Sequence, residues 1–209
     1  MNRKIKSLLS SLEKTRHLFW NISKETGLFL NQIIRVTNTK TVLEIGTSNG
    51  VSGIWIAEAL MQNAKESTAK ITKSKSESIS KTFHLYTIES HKKLRFHLAT
   101  ENFKKAKLTK HITQILGHAP DVIPPKPKYF DLIFLDATKY EHTDYLKAIL
   151  PRTKKGSIII TDNAISHKKE LSPYFEAAKA LETKTVAKTK LLKNFLLPIG
   201  SGLFISVRK

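Results

Sequence analysis

A chain of 209 residues, 40% hydrophobic and 25% charged, has the length and composition of one globular domain and is short for two. No apolar run reaches the roughly 18 residues of a membrane span, and the N-terminal MNRKIKSLLSSLEKTRHLFW interleaves charges with apolar residues, unlike a secretion signal, so the expectation is a cytoplasmic protein with no membrane partner. The absence of cysteine excludes disulfides, thiolate metal sites and a cysteine nucleophile, while a net charge of +19, from 36 Lys and Arg against 17 Asp and Glu, fits a polyanionic partner such as RNA or a lysine-rich solvated surface.

In chain order, Ile5, Leu8, Leu9, Leu12, Phe19 and Ile22 stand at helical spacing and predict an amphipathic helix over residues 5–22. LFLNQIIRV, residues 28–36, predicts a second helix, so residues 1–36 read as N-terminal helices. An alternating series follows. Strands are predicted at Thr41–Gly46, Phe83–Glu89, His111–Leu116, Phe130–Asp136 and Ser157–Asp162, with helical stretches near 51–63, 91–107, 142–150 and 168–183. Continuous apolar strands alternating with helices imply a parallel sheet covered on both faces. Residues 65–81, KESTAKITKSKSESISK, are rich in Lys and Ser and read as a mobile surface insertion within the single domain 1–209. Two final apolar runs, 188–196 and 202–208, are separated by Pro198, Gly200 and Gly202 and read as an antiparallel hairpin closing the sheet.

The segment TVLEIGTSNGVSGIWIAEAL runs strand, loop, helix, with Gly46 and Gly50 bracketing the loop, Thr47 inside it and Ser52 opening the helix. Glycines there let the backbone turn sharply and come close to a ligand, and open α/β sheets bind ligands at the carboxyl ends of their strands. The spacing G-x-x-x-G is not the G-x-G-x-x-G of dinucleotide enzymes, which argues against a nicotinamide dehydrogenase. The second strand ends in YTIES and sets Glu89 at its tip, where a carboxylate can accept hydrogen bonds from both hydroxyls of a ribose. Glu44 lies inside the first strand; a carboxylate in an apolar strand needs a partner, such as a cationic ligand group or a backbone amine. Gly117 and His118, after the third strand, could border an adenine ring or simply make a turn.

The fourth strand runs into Asp136 in FDLIFLDATKYEHTDY, with Lys139 three residues on, and the fifth ends in Asp162 and Asn163. Neighbouring parallel strands would gather Asp136, Asp162 and Asn163 at one sheet edge. Two carboxylates and an amide oxygen make a hard donor set suited to Mg²⁺, Mn²⁺ or Ca²⁺, with positions left for water or substrate. Taken singly, each residue could equally cap a turn or a helix.

At these residues the sequence resembles the metal-dependent class I O-methyltransferases, the group of catechol and caffeoyl-CoA O-methyltransferases and their bacterial relatives. The likeness runs from about Gly27 to the C-terminus. VLEIGTSNGVS resembles the family's S-adenosylmethionine (SAM) loop, FDLIFLDATK its metal-aspartate motif with Lys139 at the catalytic lysine, TDN its second metal motif, and LPIGSGLFISVRK its closing strand. The resemblance implies a Rossmann-like, seven-stranded α/β sheet with the last strand antiparallel. It also implies Glu89 on the SAM ribose, Asp136 beside the cofactor, and Mg²⁺ on Asp136, Asp162 and Asn163. Three features depart from the pattern: Ala164-Ile165-Ser166-His167 after Asn163, His142 where a tyrosine often stands, and the Lys/Ser segment.

The activity so implied is methylation of a hydroxyl on a small catechol-like acceptor, with Lys139 removing the proton or stabilising the oxyanion. A hydroxylated uridine in tRNA is the alternative acceptor, and a non-catalytic SAM- or RNA-binding protein the alternative class; a homodimer is compatible with either. The +19 charge favours RNA, whereas the lack of aromatic residues among the lysines of 65–81 does not.

Overall fold

The computed structural model describes residues 1–69, 79, 82–183 and 191–209. The apolar runs pair as a parallel set, β1 (Thr41–Ile45), β2 (His84–Glu89), β3 (Ile112–Leu116), β4 (Leu132–Leu135) and β5 (Ile158–Thr161). The terminal runs form β6 (Leu192–Leu197) and β7 (Leu203–Arg208); β7 lies antiparallel to both β5 and β6. The order is β3-β2-β1-β4-β5-β7-β6, seven strands. This is the Rossmann-like sheet with an antiparallel closing hairpin that the sequence predicts.

Alternate strand residues point to opposite faces, and the sheet therefore carries two cores. Val42, Leu85, Leu132, Phe134 and Ile160 face one cluster; Leu43, Ile45, Ile88, Ile133, Leu135 and Ile159 face the other. The first is covered by α1 (Arg3–Glu13), α3 (Lys24–Val36), α4 (Val51–Thr68) and α5 (His97–Ala106). The second is covered by α6 (His142–Ile149) and α7 (Ser172–Thr183). Helix α4 is buried along most of its length, which fits its place between the sheet and α3. Gly27 permits that contact, because a Cβ there would lie 2.3 Å from Trp55 Nε1.

The N-terminal helices differ from expectation. The single helix over 5–22 is two: α1 ends at Glu13, and a four-residue helix, α2 (Arg16–Phe19), follows. Thr15 lies between them, its hydroxyl and its N–H both donating to Leu12 O, a local bond that competes with continuing the helix. Trp20 then turns left-handed at φ 50°. Helix α3 starts earlier than 28, at Lys24, because Ser23 accepts a hydrogen bond from Thr26 N and caps it. In the segment 65–81, residues 65–68 are the last turn of α4, while 70–78, 80 and 81 lie outside the described residues, as do 188–190 of the predicted hairpin. The stretch 91–107 opens with a π-helical turn, Lys92–Phe96, before α5.

Candidate active site

Between β1 and β4 the strand order reverses, and the crevice at the carboxyl ends of these strands is where an open α/β sheet takes its ligand. Gly46 closes β1 at φ 106°, and a Cβ on it would lie 2.1 Å from the Asp136 carbonyl oxygen. Only glycine lets the loop pass this close to the end of β4. The N–H groups of Gly46 and Thr47 both donate to Ile88 O, at 3.0 and 3.1 Å, tying the loop to β2.

Glu89 is 5% exposed, and backbone amides pin its carboxylate from both sides. Ser48 N donates to Oε2 and His91 N to Oε1, each at 2.8 Å. A carboxylate oxygen accepts more than one hydrogen bond, so both oxygens keep capacity for a ligand.

Glu44 occupies a different layer. It sits opposite Thr87 in the β1–β2 register, is fully buried, and accepts a hydrogen bond from the Thr87 hydroxyl. Ser52 also hydrogen-bonds to it, and Thr47 bonds to Thr87. Burial pushes the Glu44 carboxyl up to about 7, against the pull of the two hydroxyls. Two hydroxyls partner the carboxylate here, while Oε1 has no partner among the described residues, so the ligand cation expected from the sequence is neither placed nor displaced. Glu44, Thr47 and Ser52 thus buttress the loop from behind, and Gly50, at φ 90°, starts α4 beside Phe103.

At the ends of β4 and β5, Asp136 and Asp162 are drawn together by backbone bonds: Asp136 N donates to Ile45 O at 2.9 Å and Asp162 N to Leu135 O at 3.0 Å. Lys139 Nζ donates to Asp136 Oδ1 at 2.9 Å. Asp162 is 3% exposed, and its Oδ1 has no partner among the described residues. Burial, and then the charge of Asp136, push the Asp162 carboxyl up to about 7. Asn163 follows in a left-handed conformation, φ 64°. The described residues contain no cluster of three or more His, Cys, Asp or Glu side chains fit to hold a metal. The set here is two carboxylates and an amide, and the unpartnered oxygen and raised carboxyl mark it as short of positive charge.

His142 is fully buried beneath this site. Burial, and then the Lys139 charge, hold its imidazole down to about 4, so it is neutral. Nδ1 lies 3.0 Å from the Thr138 carbonyl, which can only accept, so Nδ1 carries the proton. On the other flank, His118 Nε2 lies 3.2 Å from Glu141 Oε1, and the Tyr145 hydroxyl donates to Glu141 Oε2.

Part of this set surrounds a cavity of about 790 Å³, well within the range of small-molecule sites, while Glu44, Thr47, Ser52, Glu141, His142 and Asp162 are not in its lining. Gly46, Glu89, Gly117, His118 and Asp136 line it, together with Lys139 and Asn163. A sequence model of the O-methyltransferase family matches residues 3–209. The chain belongs to the O-methyltransferase family. That match includes the N-terminal helices, upstream of Gly27. A catechol O-methyltransferase from Niastella koreensis is 28% identical over 189 residues, 86% of this chain and 76% of the relative. Among solved structures, an O-methyltransferase from Bacillus cereus in complex with SAH superposes with a TM-score of 0.74 at 20% identity, covering 100% of this chain and 92% of the other. The O-methyltransferase TomG from Streptomyces achromogenes, in complex with SAM, gives 0.71 at 19% identity over 100% and 91%.

This O-methyltransferase also lines its cavity with residues that sequence reasoning missed, among them Arg16, His17, Phe19, Trp20 and Asn21 of the segment 16–21. Arg16 Nε donates to Asn21 O, Asn21 N donates back to Arg16 O, and Ser48 Oγ donates to Phe19 O at 2.8 Å. The segment is thereby strapped onto the glycine loop. Trp20 is 75% exposed, and the Arg95 guanidinium, carried by the π-helical turn, lies 5.1 Å from its ring centre. Asn21 is 8% exposed, and neither end of its carboxamide has a partner among the described residues. Read as part of one continuous helix, residues 16–21 look like helix surface. An isolated Trp beside Arg and His is the only sequence signal of a different role.

Proposed function

We propose that this O-methyltransferase transfers the methyl group of SAM to one hydroxyl of a small catechol-like diol, with a divalent cation as cofactor. The observation that carries the reading is one cavity lined both by the pinned Glu89 carboxylate and by Asp136, Lys139 and Asn163. Glu89 would accept hydrogen bonds from the two ribose hydroxyls of SAM. The catechol O-methyltransferase of Niastella koreensis and the SAH and SAM complexes of the structural relatives support the same assignment.

Asp136, Asp162 and Asn163 would hold the cation, and the unpartnered Asp162 oxygen and its raised carboxyl fit that role. A bound divalent cation lowers the pKa of a coordinated hydroxyl. Lys139 takes the acceptor's proton or steadies its oxyanion. The acceptor oxygen attacks the methyl carbon in line, the carbon–sulfur bond breaks, and its electron pair returns to sulfur as SAH forms. Neutral His142, bonded to the Thr138 carbonyl, fixes the turn that presents Lys139. Most of the acceleration then comes from orientation and placed charge.

A hydroxylated nucleoside in tRNA is the second reading, favoured by the +19 charge and by Arg16, His17 and Arg95 at the cavity. The cation requirement is tested with Asp162→Ala and with chelation. The variant loses methyl transfer while its affinity for SAH changes little; full activity after exhaustive chelation refutes the requirement.

A further inference from the structure

Among the described residues a second cavity, of about 480 Å³, lies outside the site described above. Its apolar lining is Ala164, Ile165, Phe175, Leu196 and Phe204. The Phe175 and Phe204 rings pack with their centroids 4.8 Å apart, and Ile165 and Leu196 are 50% and 55% exposed. Exposed apolar side chains gathered in one place mark a ligand groove or an interaction surface. Two lysines, Lys168 and Lys179, complete the wall, and the four-carbon stem of a lysine is itself apolar.

The groove and the reaction cavity share one stretch of chain. His167 N donates to Asn163 O at 2.9 Å and Leu171 N to His167 O at 3.0 Å, the spacing of a helical turn. Residues four apart on such a turn share a side. Asn163 and His167 accordingly line the reaction cavity, while Ala164, Ile165 and Lys168 line the groove. The partition is held in place by the β6–β7 turn. Ala164 N donates to Gly202 O at 2.8 Å, and Ile165 N and Ser166 N donate to Ser201 O at 3.0 and 3.1 Å. A Cβ on Gly202 would lie 2.5 Å from Ile165 Cγ1, so the two segments meet without a gap. A helical turn with its side chains is roughly 10 Å across. A flexible chain on the ring of an acceptor at Lys139 and Asn163 can cross that distance. We propose that the groove holds an apolar chain carried by the acceptor, which makes an alkyl-substituted diol the preferred substrate class. The inference rests on the diol reading above. A second copy of this chain is a poorer occupant, because a partner of net charge +19 would meet Lys168 and Lys179, to which a neutral hydrocarbon is indifferent.

The test measures kcat/KM of the full chain for catechol and for its 4-ethyl, 4-hexyl and 4-decyl derivatives, each below its micelle concentration. The ethyl group is too short to cross the partition and gains little. In the longer chains each methylene that enters the groove raises kcat/KM by about two- to fourfold, chiefly through KM. Leu196→Asp, at an exposed position of the edge strand, removes that gain and leaves catechol and 4-ethylcatechol within about twofold of the native chain; Leu196→Met keeps the gain. A native chain whose kcat/KM does not rise with chain length overturns the inference, as does a rise that Leu196→Asp leaves intact or a loss spread equally over all four substrates. No gain with length, together with a dimer in sedimentation that Leu196→Asp dissociates, assigns the groove to a second copy instead. A chain that binds SAH and methylates none of the four refutes the diol reading itself, and the inference with it.

Discussion

Replacing Glu44 with Gln probes the layer that supports the glycine loop. The carboxyl is fully buried and raised from 4.5 to about 7, chiefly because burial penalises its charged form. The folded chain therefore holds this proton over a pH range in which the unfolded chain has released it. Stability contributed by the site falls as pH rises from about 4.5 to about 7 and is fully lost above that. At about 1.36 kcal/mol per pH unit, the loss is on the order of 3 kcal/mol. Gln keeps an acceptor oxygen for Thr87 and carries no charge, so it does not have this slope. In urea unfolding, Glu44→Gln should match the native chain within about 1 kcal/mol near pH 5 and exceed it by roughly 2–3 kcal/mol near pH 8.5. A variant destabilised equally at both values would show that the carboxylate is ionised throughout and held by a positive partner.

Two further outcomes follow from the cavity. Glu89→Ala should weaken SAM binding by about 1–3 kcal/mol, the scale of lost hydrogen bonds to a charged group, measured by calorimetry; an unchanged affinity would remove Glu89 from the ribose. The apparent Michaelis constant for a small neutral diol should change little between low and physiological salt, whereas a tRNA acceptor held by several phosphate contacts would show a steep rise. Turnover of hydroxylated tRNA with such a slope, and of no diol, would transfer the assignment to RNA.

The sheet and the ends of β1, β2, β4 and β5 were legible in the sequence because apolar runs lead straight into polar residues, Asp136 and Asp162 most clearly. Glu44 was legible only as a problem. A carboxylate inside an apolar strand needs a partner, but the partner, Thr87, is defined by strand register across the β1–β2 pair, which one sequence does not display. The strap at 16–21 was misread for a related reason. The apolar spacing of Leu12, Phe19 and Ile22 continues a helical period, while the actual path is set by a bond from Thr15 back to Leu12, a left-handed Trp20, and a tether from Ser48 to Phe19. The tether joins residues 29 positions apart, so no local pattern encodes it.

The central claim is tested most directly by incubating the native chain with methyl-labelled SAM, Mg²⁺ and a catechol-type diol, and identifying the products by mass spectrometry. The expected products are SAH and a mono-O-methylated diol carrying the label, formed with Mg²⁺ and not after chelation. Bound SAM that leaves the diol unmethylated, or a label found on any atom other than a hydroxyl oxygen, would contradict that claim.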